Sequence, residues 1–335
     1  MIKTPKFWYK NDLSSYFLAL VLYPLSIIWM IISFIKKKFN KSYKSKLKVI
    51  CVGNLNIGGA GKTPFTIYTY KILKELGYKP VFLTRGYKGL EKGPVKVRHD
   101  HNFKDVGDEA LLLSKVGPTV ISGDRSLGAK FIESLKNNYN VILMDDGLQN
   151  NKLKKDIKLL LVDKQLQFGN KFCVPSGPLR EPIIQGLKDI DAIVLTGNDR
   201  KFTDYKNKFD SKIIFNSSIK IIKSLKIKKT KILAFCGLAN PNKFFDTLKY
   251  NKYNVISTKS FPDHYQYTDG DIKKLILNAK SQNLTLLTTE KDYVKIQDQK
   301  NEIKVLSIES DLDIEEEKNF KIFLEKKLNG KSYNL

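Results

Sequence analysis

The sequence predicts an α/β protein: a parallel-sheet domain, a second and smaller α/β domain, and an N-terminal membrane helix. Short apolar runs typical of strands alternate with helix-like segments, a long uncharged stretch comes first, and the alternation resumes after an extended segment. Parallel strands need crossover connections, usually helices, so the alternation indicates helices on both faces of a sheet. We expect a membrane-associated segment at 1–47, a first domain at 48–210, extended linker strands at 211–228 and the smaller domain at 229–335.

The chain is strongly basic. Its 335 residues carry a formal net charge of +25, while 42% hydrophobic and 28% charged residues are ordinary for a soluble enzyme. The charge suggests an anionic partner, such as nucleic acid, an acidic membrane surface or a phosphorylated substrate, without choosing among them. A lysine-rich genome would give the same excess. The three cysteines lack metal spacing and fit a reducing cytosol.

The N-terminal segment has 23 residues without a charge between Asp12 and Lys36, with lysines on both sides and more of them after it. As one helix it would be roughly 34 Å long, enough to cross a bilayer. The positive-inside rule would then leave the C-terminal body in the cytosol. Pro24 also permits a bent helix within one leaflet, and a buried core helix is a further alternative.

The stretch 49–65, VICVGNLNIGGAGKTPF, reads as a strand, a phosphate loop and a helix start. Glycines let successive backbone N–H groups point at a polyphosphate, and the helix N-terminus favours anions. Asn56 stands where the consensus has glycine, and asparagine is the next best residue for a left-handed turn. The first domain therefore looks P-loop NTPase-like, with ATP expected against eight residues: Asn56, Ile57, Gly58, Gly59, Ala60, Gly61, Lys62 and Thr63.

Further along the chain, an apolar strand ends in Asp145 and Asp146, which with the Thr63 hydroxyl suit Mg²⁺. An Asp-Asp-Gly turn capping a core strand is the alternative. Asp108 and Glu109 begin an apolar helical run, where acidic residues also serve simply to offset the helix dipole. Arg180, in a rigid Pro-Gly-rich loop, is placed to hold a phosphate, or else lies in a surface turn.

Three blocks together resemble the tetraacyldisaccharide 4'-kinase family, the lipid A 4'-kinases of Gram-negative bacteria. They are VGNLNIGGAGKTP at 52–64, DDGLQ at 145–149 and PSGPLREP at 175–182. Supporting matches are RGY at 85–87, GDE at 107–109, FCGLANP at 235–241, FPDH at 261–264 and TEKD at 289–292. These blocks cover nearly the whole chain, and the family's membrane-embedded N-terminal segment is similar too.

The resemblance implies transfer of the ATP γ-phosphate to the 4'-hydroxyl of a tetraacyldisaccharide 1-phosphate, in lipid A biosynthesis at the cytoplasmic face of the inner membrane. It implies that Asp108 acts as base, assisted by His264, and that Lys62 is catalytic. Without the resemblance, His264 would be expected to be a solvated loop residue. Further positions near the active site are then Glu109, Gln149, Arg180 and Glu181. The chain departs from the family pattern at Ala110, usually Pro, and Asn150, usually His, which weakens any nucleotide contact expected at position 150.

Two other functions compete with this interpretation. A membrane-bound P-loop switch would hydrolyse ATP to control a partner, whereas a kinase consumes ATP only when its lipid is present. A nucleic-acid-binding ATPase would suit the charge, but the most basic stretch adjoins the apolar segment and no interleaved aromatic and basic platform is found. We therefore expect a glycolipid substrate and the inner membrane surface as partners, no nucleic acid, and a monomer.

Overall fold

The computed structural model describes residues 4–39, 41–197, 209, 212–222, 227, 229–296 and 300–330. Within these residues the chain forms two sheets, of nine and four strands, both flanked by helices. The α/β class with an apolar N-terminal helix is therefore confirmed.

The N-terminal segment forms a single helix, α1 (Leu13–Phe39), which continues through Pro24. Within the described residues it is the one helix long and apolar enough to cross a membrane, by length and composition. Most of its large apolar side chains are exposed, whereas the small residues Ser15, Ala19 and Ser26 are buried along one stripe. That stripe faces the body of the protein, so α1 is not a core helix.

The larger sheet has the strand order β13-β8-β7-β6-β1-β5-β2-β4-β3. All neighbouring strands are parallel except at its two ends, where β3 and β13 run antiparallel to β4 and β8. Its strands are β1 (Lys48–Gly53), β2 (Pro80–Thr84), β3 (Val95–Lys96), β4 (Thr119–Ile121), β5 (Val141–Asp145), β6 (Ile157–Asp163), β7 (Ala192–Thr196), β8 (Ile213–Ile221) and β13 (Ile308–Asp311).

Helices cover both faces of this sheet because the side chains of its strands alternate between two cores. Ile50 and Val52 of β1 point into one core, and Val49 and Cys51 point into the other. The flanking helices are α2 (Lys62–Glu75), α3 (Phe103–Val106), α4 (Asp108–Ser114), α5 (Arg125–Ser134) and α6 (Ile183–Leu187). Central strand β1 lies between β5 and β6, which places the loops after β1 and β5 at the same edge.

The smaller sheet has the order β10-β9-β11-β12 and is parallel throughout. Its strands are β9 (Ile232–Cys236), β10 (Val255–Ser260), β11 (Thr285–Thr289) and β12 (Ile303–Leu306). Its helices are α7 (Pro241–Tyr250), α8 (Asp269–Ser281) and α9 (Glu290–Tyr293). Two hydrophobic clusters on opposite faces of β9 make this unit a second layered α/β structure.

The expected domain limits need two corrections. The alternating segment expected to link the domains contains β8, which pairs with β7 inside the larger sheet. The chain then returns from the smaller sheet, because β13 pairs with β8 and helix α10 (Ile314–Leu328) packs its Phe320 and Phe323 into the core under α2. Alternating apolar residues indicate a strand but do not name its partner, so the sequence pattern could not reveal this return.

One buried serine contributes hydrogen bonds to the docking of α1 on the body of the protein. The Ser26 hydroxyl donates to the carbonyl of Cys173, lies 2.8 Å from the Ser176 hydroxyl, and accepts from the Ser176 N–H. We expect Ser26→Ala to lower the free energy of unfolding by about 1–3 kcal/mol, because it leaves a buried N–H unpaired. Urea unfolding of the detergent-solubilised protein measures this. Ser33→Ala, on the same helix, should change it by less than about 0.5 kcal/mol, and equal losses would contradict the role of Ser26.

Candidate active site

The phosphate loop lies between β1 and α2, as its glycines predict. Gly58 and Gly61 have φ of +117° and +81°, conformations that a side chain would strain, and Gly61 immediately precedes the first residue of α2. The Lys62 ammonium donates to the Asn54 side-chain oxygen at 3.1 Å and to the Gly58 carbonyl at 3.2 Å. These two hydrogen bonds hold the Lys62 side chain against the residues that begin the phosphate loop.

Asn56 has a different role from the one expected. It is not among the residues with positive φ; instead its backbone bridges to Leu179, and its side-chain N–H donates to the Gln167 carbonyl at 2.7 Å. The left-handed turns of this loop are taken by Gly58 and Gly61. The asparagine therefore ties the phosphate loop to the loops that follow β6.

The two carboxylates after β5 converge on the phosphate loop. Asp145 accepts from the hydroxyl of Thr63 at 3.1 Å and from that of Thr66 at 3.0 Å. Asp146 lies 3.6 Å from the Lys62 ammonium and has a left-handed backbone, φ 51°. A non-glycine residue in this conformation is uncommon and is found where local structure imposes it, as at functional sites.

The protein shifts the pKa values of these two carboxyl groups in opposite directions. Burial raises the pKa of Asp145 to about 7, and the neighbouring carboxylates of Glu109 and Asp146 add to the rise. Burial also favours a raised pKa at Asp146, but the positive charges of Lys62 and Arg180 outweigh this effect and hold the pKa of Asp146 at about 2. A cation beside Asp145 would offset the excess of negative charge.

The donor set fits Mg²⁺ bound together with phosphates. Among the residues that the structure describes, no group of three or more His, Cys, Asp or Glu side chains is arranged to hold a metal alone. Mg²⁺ usually takes only one or two protein carboxylates, completing its shell with waters and substrate phosphates. Asp145, Asp146 and the Thr63 hydroxyl, which lies beside Asp145, provide such a set of oxygens.

Arg180, Gln149 and Glu181 lie beside the carboxylate pair, in a chain of polar contacts. The Arg180 guanidinium donates to both oxygens of Asp146, at 2.9 and 3.1 Å, and to the Gln149 side-chain oxygen. Gln149 in turn donates to Glu181 at 3.1 Å. Arg180 thus holds a carboxylate in the bidentate fashion that was expected for a phosphate. Asn150 lies in a turn and bonds to Lys152, in keeping with the weakened expectation at that position.

Asp108 and His264 meet across the two units. The Nδ1 of His264 lies 2.9 and 3.0 Å from the two oxygens of Asp108, and both side chains are largely buried. Gly107, with φ of 87°, separates α3 from α4 and places Asp108 at the first position of α4. Burial would raise the pKa of Asp108, but the hydrogen bond from His264 and the charge of Lys291 outweigh it and hold the pKa well below its usual range.

Some residues of the site gave little signal in the sequence. Thr66 and Asn54 contact Asp145 and Lys62 but have side chains common in any helix or turn. Arg125 is 3% exposed, and this burial lowers the pKa of its guanidinium to about 10. The negative charges of Asp146 and Asp145 act in the opposite direction and offset part of the effect. The position of Arg125 in the sequence, at the start of α5, gave no indication that it would lie near the site. Lys291 stood within the TEKD block, which pointed to the family but not to a role.

The raised pKa of Asp145 predicts how stability depends on pH. Because its folded-state pKa of about 7 lies above the ordinary aspartate value of 3.8, the stability linked to this group is fully present below about pH 4 and is lost as pH rises through 7. Between pH 5 and 8 we expect the nucleotide-free and metal-free protein to lose roughly 2–4 kcal/mol through this group. Urea midpoints across this range should fall for the wild type and fall less for Asp145→Asn. Parallel curves would contradict the prediction.

A phosphate loop whose lysine meets a strand-borne pair of carboxylates defines a P-loop phosphotransferase site. The family model for tetraacyldisaccharide-1-P 4'-kinase matches residues 18–329. The chain belongs to this family of kinases.

Individual relatives agree with the family match. The chain is 38% identical over 317 residues to the tetraacyldisaccharide 4'-kinase of Paramagnetospirillum magneticum, covering 93% of this chain and 95% of the relative. It is 37% identical to that of Rickettsia bellii, covering 91% and 92%. A crystal structure of the "apo" form of LpxK from Aquifex aeolicus in complex with ATP is similar with a TM-score of 0.74 and 29% identity, covering 93% and 99%.

Proposed function

We propose that the chain transfers the γ-phosphate of ATP to the 4'-hydroxyl of a tetraacyldisaccharide 1-phosphate, a lipid A precursor. The family membership and the relatives named above support the activity and its acceptor. The ATP complex of the Aquifex aeolicus enzyme supports ATP as the donor. The strongest single observation is that the phosphate loop and the carboxylate pair converge, with Lys62 3.6 Å from Asp146 and the Thr63 hydroxyl bonded to Asp145 at 3.1 Å.

In this mechanism the 4'-oxygen of the sugar attacks the γ-phosphorus, the bond from that phosphorus to the β,γ-bridging oxygen breaks, and ADP leaves. The ionised carboxylate of Asp108 accepts the proton of the hydroxyl, while the Nδ1–H of His264 orients that carboxylate. Lys62 and the backbone N–H groups of the loop hold the phosphate oxygens. Asp145, Asp146 and Thr63 would hold Mg²⁺, which when bound would neutralise charge on the β- and γ-phosphates.

The assay that tests the proposal uses purified protein, γ-labelled ATP, Mg²⁺ and a disaccharide 1-phosphate lipid in detergent micelles. We expect label in the lipid at the 4' position and little ATP consumption without the lipid. ATP hydrolysis that is equally fast with and without lipid would overturn the proposal in favour of a switch ATPase.

We propose further that α1 binds the inner membrane from its cytoplasmic side and lies along the surface of the bilayer. The contacts of α1 with the body run along most of its length, from the ring of Tyr16 against Phe172 to Lys37 beside Glu181. A helix that spans the bilayer would draw the segments that it contacts into hydrocarbon, including the polar groups of Glu181 and the Cys173 carbonyl, at a high energetic cost. The exposed apolar side chains in the middle of α1 would enter the outer part of the acyl region, with the two ends of the helix and the flanking lysines at headgroup level.

Single cysteines at the ends of α1 test this orientation. Leu13 and Phe39 are 89% and 79% exposed, and all three native cysteines are buried, which keeps background labelling low. In spheroplasts, a membrane-impermeant thiol reagent should label neither Leu13→Cys nor Phe39→Cys, and in inverted vesicles it should label both. Labelling of Leu13→Cys in spheroplasts would show that α1 spans the membrane.

A further inference from the structure

We propose that Lys291 is a positioning residue of the phosphoryl transfer reaction. Its ammonium holds Nε2 of the His264 ring on the side away from Asp108, and so orients the ring and the Asp108 carboxylate that is bonded to it. This inference rests on the proposed function for its catalytic consequence. Its structural part concerns the ring alone and is tested without turnover.

Lys291 reaches from the smaller unit into the contact between the two units. It lies on α9, directly after β11, where the Thr289 hydroxyl caps the short helix. The Lys291 ammonium is 3.2 Å from Nε2 of His264, 3.4 Å from Glu109 and 3.5 Å from Asp263. One side chain therefore contacts α4 of the first unit and the loop of the second unit that carries His264.

The hydrogen-bond inventory of these groups determines the tautomer. Asp108 is ionised and can only accept, so the proton on the near side of the ring belongs on Nδ1. A lysine ammonium can only donate, so Nε2 of the ring accepts from Lys291. Both partners therefore indicate the same neutral tautomer of His264, with the proton on Nδ1 and directed at Asp108. This assignment follows from satisfying the hydrogen-bond network and not from observed hydrogen positions.

His264 lies in a loop and packs against an aromatic neighbour. Its φ of 55° is a left-handed conformation in a loop, and the ring edge meets Tyr87 at a centroid distance of 5.0 Å. The neighbouring lysine of the same segment, Lys295, is engaged with Asp292 at 2.8 Å and only approaches Asp108, at 4.0 Å. Lys291 therefore contacts the ring itself, whereas Lys295 does not.

Steady-state kinetics of Lys291→Met are compared with those of a matched surface variant, Lys280→Met. Methionine keeps the length of the side chain and removes its charge and donors, while Lys280 lies on the same unit in an exposed pair with Glu302. We expect Lys291→Met to lower kcat on the order of 10- to 100-fold, part of what a general base contributes, with the KM for ATP within about twofold. Lys280→Met should leave both constants unchanged.

The state of the ring is read independently by nitrogen NMR of the full chain labelled with ¹⁵N-histidine. The chain has three histidines, and a His264→Asn sample assigns the signal. In the wild type we expect a protonated Nδ1 and an unprotonated Nε2, and in Lys291→Met a displaced Nε2 signal, because that nitrogen loses its donor while Asp108 still holds the proton on Nδ1. Lys291→Arg, which keeps a charged donor, should preserve the wild-type pattern and more of the kcat, and it serves as the test if the methionine variant fails to fold.

Each result decides the proposal. It is overturned if kcat stays within twofold, if only KM changes, or if kcat falls while the ring keeps the wild-type pattern. A displaced Nε2 signal together with the loss of kcat supports it. If the wild-type protein does not phosphorylate the lipid, the proposed function fails, while the NMR comparison still decides whether Lys291 sets the ring.

Discussion

Replacing Asp108 by asparagine is expected to lower kcat by about 10³-fold, within the range that a positioned base contributes. The side chain is 4% exposed and accepts from both His264 and the Glu109 N–H, so the amide keeps the size of the carboxyl but cannot take up the proton of the acceptor hydroxyl. Steady-state transfer of labelled phosphate to the lipid measures the loss. The KM for ATP should remain within a few-fold, because Asp108 belongs to the acceptor side of the site.

A matched control lies three residues earlier in the chain. Asp105 caps α3 by accepting from the backbone N–H of Asn102, so Asp105→Asn tests an acidic residue of the same loop outside the site. It should retain near-normal kcat. If Asp108→Asn also turned over at close to the wild-type rate, the assignment of Asp108 as base would be wrong and positioning of the substrates alone would account for catalysis.

Replacing Lys62 by methionine should lower kcat/KM by about 10²- to 10³-fold, the effect of removing one preorganised donor from a developing negative charge. The Lys62 side chain is 10% exposed, and its ammonium lies beside the Asn54 side chain, the Gly58 carbonyl and Asp146. Methionine keeps the packing of the aliphatic stem, so the loss should come from the charge. Initial rates at several ATP concentrations separate kcat from KM.

The control for Lys62 is on the same helix. Lys74, in the last turn of α2, is exposed, so Lys74→Met removes a positive charge away from the phosphate loop. We expect its kcat/KM to stay within twofold of the wild type. A similar fall in both variants would mean that net charge, for example through attraction to anionic micelles, and not the position of Lys62, governs the rate.

The first unit of the fold was predictable because its signals are local. The continuous apolar runs at 80–84 and 157–163, between turn residues, are typical of buried parallel strands, and β2 and β6 have these bounds. The junction of loop and helix followed from Gly61 and Lys62 in the same way. Local patterns of this kind need no knowledge of the rest of the chain.

The remaining features depend on contacts between distant segments. The stretch 303–308 has the apolar pattern of a single strand, but it divides between two sheets, β12 in the smaller and β13 in the larger. No property of those residues shows the change of partner. Arg125 and Lys291 belong to the site region only because folding brings their helices there. Asp145 and Asp146 were found because a buried strand delivers them to the edge where the phosphate loop lies.

The return of the chain to the larger sheet also has a consequence for biosynthesis. Phe320 on α10 packs against Phe65 and Tyr68 of α2, the helix that begins with Lys62. The ribosome makes the phosphate loop long before it makes α10, so during translation the loop's supporting helix exposes an aromatic surface. Nascent chains arrested before residue 314 should therefore bind chaperones at this surface, and release of the completed chain should end that binding.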